Sequence, residues 1–277
     1  MSRPAGTGSA SDTLLIIPTH NHPNCLPLAL ASAQNQSFGD IDIVVIGDGV
    51  ADDTRDALSP ILAADRRVRF VDVPKGQRHG ESHRDVVIRA SGASVISYLG
   101  DDDLLFPRHL ESMRMCLGGV DFAKPLPVFI DRGGDPLYYA TDLANPESVA
   151  LHLPPIRRRN SVSLTGVTHT RESYLRLPHG WRPAPPDRWA DHYMWEQYFE
   201  LDGFRGRTFP LATTAKFEQS CRDDMTEVQR AAEIRTFADR MADPDFVAMW
   251  NFTVAEKVRA SSVDNFVKVN AARDAVF

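Results

Sequence analysis

The chain has 277 residues, of which 43% are hydrophobic and 25% charged, and it carries a net charge of −6 at pH 7. This composition is ordinary for a soluble folded domain and excludes the fibrous and disordered classes. The acidic balance argues against a nucleic-acid surface, which needs a concentrated excess of Lys and Arg, and the one basic run, at residues 157–159, is short.

The cysteine pattern and the lack of long apolar runs favour a cytoplasmic protein. Cys25, Cys116 and Cys221 are odd in number and form no CxxC pair, which argues against a disulfide framework or a zinc ribbon. No apolar run approaches the roughly 20 residues that span a bilayer, so we expect no integral membrane segment. Residues 1–12 are rich in small and polar residues, and we predict a disordered leader there.

The first part of the chain alternates between apolar strands and helical stretches. Apolar runs such as LLII are typical of strands buried on both faces of a sheet. Strands are predicted at residues 14–17, 41–46, 68–73 and 95–99, and helices at 27–36, 53–64 and 83–90. This alternation favours an α/β fold with a mostly parallel, Rossmann-like central sheet flanked by helices.

The later part is less regular. Proline clusters at 125–127, 154–155 and 183–186 predict long loops. Helices are predicted at 188–201, at 227–240 and along the tail from 245 to 277. The sequence therefore predicts a sheet-rich half followed by a loop-rich half with a helical C-terminus.

Each of the four predicted strands ends in a polar or glycine-rich segment. In an open parallel sheet, such carboxyl ends form the ligand crevice. Their contents suit a nucleoside-diphosphate sugar: Asp48 can accept a hydrogen bond from a base N–H, and Thr19 can hold the base edge. A pyrophosphate can be met by Arg78 or Lys75, since guanidinium forks match paired oxygens.

The run Asp101–Asp103 follows the fourth predicted strand directly. Three adjacent carboxylates repel one another unless a cation or solvent balances them, and Mg²⁺ or Mn²⁺ binds such oxygens together with substrate phosphates. The ion would also neutralise a departing nucleoside diphosphate. The plain alternative is an acidic turn that caps the next helix.

Three segments, LLIIPTHN at 14–21, IVVIGDGVADDT at 43–54 and ASGASVISYLGDDDLLFP at 90–107, resemble in order and spacing the opening motifs of the family 2 glycosyltransferases, which have the GT-A fold. The resemblance implies a nucleotide-sugar (donor) half at 13–120 and, in the same domain, an acceptor half with C-terminal helices at 121–277. It assigns nucleotide binding to Thr19, Asn21 and Asp48, ribose to Asp101, and the metal of the DXD motif to Asp102 or Asp103. For the pyrophosphate, Arg78 is preferred over His83 and Arg84.

Residues 187–195 (DRWADHYMW) resemble the acidic motif that precedes a helix in inverting members of the family. The resemblance implies that Asp191 is the general base that deprotonates the acceptor hydroxyl. Asp187 is the spare candidate, and helix capping is the structural alternative for Asp191. His169, His179 and His192 are the candidates for an additional metal ligand.

Together these features imply a metal-dependent transferase that moves a sugar from a nucleoside diphosphate, UDP first, to a hydroxyl of a saccharide or small molecule, with inversion. A retaining GT-A enzyme is the mechanistic alternative. A sugar-phosphate nucleotidyltransferase usually has a glycine-rich loop after its first strand, which residues 18–21 lack. A binding module that has lost activity and a homodimeric assembly also stay open.

Overall fold

The computed structural model describes residues 11–138, 141–154 and 160–274, with residues 263–274 described as helical backbone. Most of the predicted leader, the basic run at 157–159 and Pro155 lie outside these residues. The strands are β1 (Thr13–Thr19), β2 (Ile41–Asp48), β3 (Val68–Val73), β4 (Val95–Tyr98), β5 (Leu104–Leu105), β6 (Phe122–Pro125), β7 (Val128–Ile130), β8 (Pro136–Tyr138), β9 (Thr168–Thr170), β10 (Gly206–Phe209) and β11 (Thr214–Ala215).

Seven of the described strands form one sheet in the order β10-β6-β9-β4-β1-β2-β3. Pairing is parallel throughout except at β9, which runs antiparallel to both β4 and β6. Two short antiparallel pairs, β5 with β11 and β7 with β8, lie beside it. The predicted α/β class with a mostly parallel central sheet is confirmed.

The helices are α1 (Leu26–Gln34), α2 (Asp52–Ala64), α3 (Glu81–Ala90), α4 (His109–Cys116), α5 (Pro146–Ala150), α6 (Arg171–Leu175), α7 (Ala190–Phe199), α8 (Glu227–Met241) and α9 (Pro244–Asp274). The helices expected from the sequence begin and end within about two residues of the predicted bounds, except that residues 275–277 of the predicted C-terminal helix lie outside the described residues. None of the helices within the described ranges combines the length and apolarity that a membrane crossing requires.

Both faces of the sheet are covered, which explains the unbroken apolar run in β1. Side chains of a strand alternate between faces, so Leu14 and Ile16 pack in a layer with α3, α6 and α7, whereas Leu15 and Ile17 pack in a layer with α1, α2 and α4. All four side chains are fully buried. A polar residue at any of them would lie in an apolar layer, so strand β1 is fixed between the two layers.

The later part of the chain completes the same sheet and adds a further core. Strands β6, β9 and β10 extend it beyond β4. Helices α8 and α9 pack through Ile234, Phe237 and Trp250 against Leu104 and Phe217 beside the short strands β5 and β11. This packing brings the first turn of α8 next to the loop that follows β4.

Candidate active site

A cavity of about 590 Å³ opens at the carboxyl ends of β1, β2 and β4. This is the edge at which a parallel sheet binds ligands. Six of the residues predicted for the site line the cavity: Thr19, Asn21, Asp48, Arg78, Asp101 and Asp191. Asp102 and Asp103 do not line it.

Asp48 ends β2 and is 4% exposed. Its carboxylate accepts hydrogen bonds from Lys75 Nζ at 2.6 Å and from the Gly76 N–H at 2.5 Å, and His83 Nε2 lies 3.6 Å away. Burial opposes ionisation, but the bonds from Lys75 and Gly76 outweigh it and lower the pKa of Asp48. The cavity therefore holds a buried carboxylate that stays ionised at neutral pH.

Gly80 permits the close approach of α3 to this carboxylate. Its φ is +66°, in the left-handed region, and a Cβ there would lie 2.6 Å from Asp48 Cγ. Only glycine meets both conditions. The glycine before α3 thus belongs to the construction of the Asp48 site.

Thr19 is the last residue of β1, and Asn21 lies two positions after it. Their side chains have different environments. Thr19 is 4% exposed, and its Oγ1 has no hydrogen-bond partner in the described part of the chain. Buried hydroxyls are normally paired, so an unpaired one in a cavity wall suits a ligand group. Asn21 is exposed at the mouth.

The three aspartates after β4 point to different partners. Asp101 lies in the cavity wall and is 3.0 Å from His22 Nδ1, a contact that raises the pKa of His22. Asp102 forms an ion pair with Arg230 of α8. Burial, followed by repulsion from Asp103 and Asp101, raises the pKa of Asp102 to about 7.

Asp103 is bound by the later part of the chain. It is 3% exposed and accepts hydrogen bonds from the Phe217 N–H at 2.9 Å and from the Thr165 hydroxyl. Burial raises the pKa of Asp103. These contacts join the end of β4 to the later part of the chain, so they favour a structural role, and a metal-binding role for Asp103 stays a prediction.

In the part of the chain that the structure describes, one group has the donor set for a divalent ion: His22, Asp101 and Asp102 each offer a ligand atom, all within 4.8 Å of one another. Two carboxylates with an imidazole fit Mn²⁺ well and Mg²⁺ less well, since Mg²⁺ prefers oxygen ligands. His22 was not among the residues predicted from the sequence, although it lies just after the first strand as the acidic run lies just after the fourth. His169 and His192 are buried in the core and bind Tyr98 and the His152 carbonyl.

Three arginines line the cavity, and one of them, Arg188, is paired with Glu196. Arg78, preferred for pyrophosphate, is exposed, has φ +54° and donates to the Arg188 carbonyl at 3.1 Å. Arg84 is 5% exposed, lies 4.7 Å over the Trp181 ring and has an Nε with no partner inside the described ranges. Arg78 and Arg84 thus offer one exposed and one buried guanidinium for an anionic ligand.

Asp191 is the second residue of α7 and lines the cavity. Its Oδ1 accepts from the Asn160 amide at 2.6 Å and the His192 N–H at 2.8 Å, and its Oδ2 accepts from the Leu164 N–H at 3.1 Å. The N-cap of α7 is Trp189, so Asp191 is not the capping residue that the structural alternative expected, although it accepts from the next N–H of the first turn. A carboxylate has about four acceptor sites, so one remains for a further proton donor.

A mostly parallel sheet with both carboxylates and cationic side chains in a crevice at its strand ends is the architecture expected of a nucleotide-sugar transferase fold. The sequence profile described as Glycosyl transferase family 2 matches residues 14–177, more than half of the chain. The chain belongs to this family, as the resemblance predicted.

The curated relatives are partial matches. A Campylobacter jejuni GalNAc(5)-diNAcBac-PP-undecaprenol beta-1,3-glucosyltransferase is 26% identical over 99 residues, which cover 36% of this chain and 32% of the relative. A Haemophilus influenzae uncharacterized glycosyltransferase is 27% identical over 97 residues, 35% of this chain and 38% of the relative. The chain thus spans about a third of the length of these relatives.

Solved structures show the same fold. S. aureus TarS in complex with UDP-GlcNAc matches 75% of this chain and 58% of its own, at TM-score 0.58 and 15% identity. The mannosyltransferase PcManGT from Pyrobaculum calidifontis, in complex with GDP-Man and Mn²⁺, matches 98% of this chain and 83% of its own, at TM-score 0.52 and 14% identity. The predicted GT-A fold is confirmed.

Proposed function

We propose that this chain transfers a sugar from a nucleoside diphosphate, UDP first, to a hydroxyl acceptor, with a divalent metal and with inversion at the anomeric carbon. The observation that carries the proposal is that one cavity holds Asp48, Asp101 and Asp191 together. Asp48 suits a nucleotide base, Asp101 a ribose, and Asp191 the acceptor hydroxyl.

The side of the cavity formed by the strand ends binds and orients the nucleotide sugar. Thr19 and Asp48 form hydrogen bonds with the polar edge of the base. Arg78 and Arg84 supply positive charge for the diphosphate. His22, Asp101 and Asp102 would hold the metal ion, which supplies Lewis-acid stabilisation of the departing diphosphate. Together these residues hold the donor so that the anomeric carbon of its sugar faces the acceptor.

Asp191 carries the proton. The acceptor oxygen forms a bond to the anomeric carbon, the bond from that carbon to the diphosphate oxygen breaks, and the acceptor proton passes to Asp191. The contacts with Asn160 and Leu164 fix the carboxylate for this step. Attack opposite the leaving group inverts the configuration.

The structural neighbours support the donor class and the metal. TarS is in complex with UDP-GlcNAc, and PcManGT is in complex with GDP-Man and Mn²⁺. The C. jejuni relative is named for glucose transfer to an undecaprenol-linked glycan. A saccharide acceptor is the part of the proposal that fits this relative. A cytoplasmic site of action and a homodimer stay predictions.

Two alternatives from the sequence analysis differ in strength. Family membership speaks against a sugar-phosphate nucleotidyltransferase. A retaining mechanism would use the same donor half, and its product would carry the opposite anomeric configuration from the inverting one. NMR of the glycosidic product of the first active donor and acceptor pair decides between them.

The central experiment is a thermal-shift panel of UDP, GDP, ADP and dTDP, each with and without Mn²⁺. A nucleotide at about 100 times its Kd stabilises the folded state by about 2.7 kcal/mol. We expect the largest rise in Tm with UDP and Mn²⁺ together. The donor assignment is wrong if no nucleoside diphosphate shifts Tm, and the metal assignment is wrong if Mn²⁺ adds nothing to the shift.

A further inference from the structure

Arg230 of α8 is buried against the acidic loop that follows β4. Its Nη2 donates to Asp102 Oδ2, and its Nη1 lies 3.4 Å from His22 Nε2. The residue is 4% exposed, and its Nε has no partner in the described structure. The guanidinium therefore sits against two of the three residues that form the candidate metal group.

The same turn of α8 holds the loop that carries His22. Glu227, one turn before Arg230, accepts hydrogen bonds from the Asn24 N–H at 2.7 Å and from the Cys25 N–H at 3.2 Å. This helix lies beyond the residues that match the family profile, 14–177. A C-terminal helix thus fastens the first loop of the donor half and neutralises its acidic loop.

A guanidinium and a divalent ion cannot both use the Asp102 carboxylate without cost. They compete for its oxygens, and their like charges repel each other where solvent is excluded. Before any ion binds, Arg230 supplies the positive charge that an acidic group at this depth requires.

We propose that Arg230 is an internal counter-cation of the metal group, which holds Asp102 until the divalent ion binds and thereby weakens binding of the bare ion. It is a positioning residue, because it acts through Asp102. The inference rests on the metal site of the proposed function. A purely structural Arg230 would have the opposite effect, since its loss would loosen Asp102 and weaken ion binding.

The test is calorimetric titration of the full chain with MnCl₂ in the absence of nucleotide. We expect Arg230→Gln, which removes the charge, to bind Mn²⁺ about tenfold more tightly than the wild type. Arg230→Lys, the matched control that keeps the charge, should stay within about threefold of the wild type.

Mn²⁺ binding by Arg230→Gln that is equal to or weaker than that of the wild type would overturn the inference alone. An absence of Mn²⁺ binding in both proteins would overturn the inference together with the metal part of the proposed function.

Hydrogen exchange on the wild type gives a second measurement that does not depend on the folding of a variant. Mn²⁺ should loosen the contact between Arg230 and Asp102, so amide exchange in residues 227–234 should become faster when the ion is added. Unchanged or slower exchange there would contradict the inference, even if Arg230→Gln did not fold.

Discussion

The Asp103 carboxylate accepts a hydrogen bond from the backbone N–H of Phe217 at 2.9 Å, across 114 positions of sequence. The contact joins the loop after β4 to the segment after β11, and the Thr165 hydroxyl donates to the same carboxylate. An aspartate inside an acidic triplet therefore connects the loop after β4 to later parts of the chain.

We expect Asp103→Ala to lower the free energy of unfolding by about 1–3 kcal/mol, because the Phe217 N–H and the Thr165 hydroxyl lose their buried acceptor. Urea denaturation measures this change. The matched control is Asp52→Ala, whose side chain is 93% exposed and which should stay within about 0.5 kcal/mol of the wild type. Unaltered stability of Asp103→Ala with loss of Mn²⁺ binding would instead make Asp103 a metal ligand.

Asp48 and Arg78 should affect nucleotide binding differently. Asp48→Asn removes the negative charge of the group that accepts a hydrogen bond from the base. The affinities for uridine and for UDP should therefore both fall by about tenfold. Arg78→Met should lower the affinity for UDP but not for uridine, because uridine has no diphosphate. Competition calorimetry with the two ligands separates these effects, and equal losses on uridine in both variants would argue against the assignment of Arg78.

Asp191→Asn should leave UDP affinity unchanged and lower kcat by a factor of about 10²–10⁴, as expected for loss of a general base. Initial rates with UDP-GlcNAc and the acceptor that supports wild-type activity measure the effect. Asp187→Asn, on an exposed neighbour, is the matched control and should keep the wild-type rate. The base would move to Asp187 if the two variants showed the reverse pattern.

Buried His109 should make stability depend on pH. Burial lowers the pKa of His109 to about 3, against 6.5 in the unfolded chain. Between these values only the unfolded chain binds the proton, so stability falls as pH decreases. Between pH 6.5 and pH 5, the free energy of unfolding of the wild type should fall by about 2 kcal/mol more than that of His109→Asn.

Urea denaturation at several pH values tests the His109 contribution. Asparagine can replace the Nδ1 contact with the Thr213 hydroxyl, which measures 2.8 Å. Exposed His179→Asn is the control and should keep the wild-type pH slope. An identical slope in His109→Asn would show that this histidine is protonated in the folded state.

The sequence by itself determined the buried strands of the sheet and the residues at their ends, because apolar runs and the residues that follow them are local signals. Leu14–Ile17 must be buried on both faces, and a parallel sheet brings Thr19, Asp48 and Asp101 to one edge whatever the loops do. The family resemblance added Asp191 on the same basis of local pattern. These positions could be predicted without knowing which distant segments pack together.

Only the tertiary structure decided how the acidic run is divided among its partners. Asp101 faces His22, Asp102 pairs with Arg230, and Asp103 binds the Phe217 N–H. Two of these partners lie more than 100 positions away, so no local spacing could indicate them. The packing of α8 and of the segment after β11 on the strand ends determines which carboxylates are free for a ligand, because a carboxylate that already accepts protein hydrogen bonds has fewer sites left.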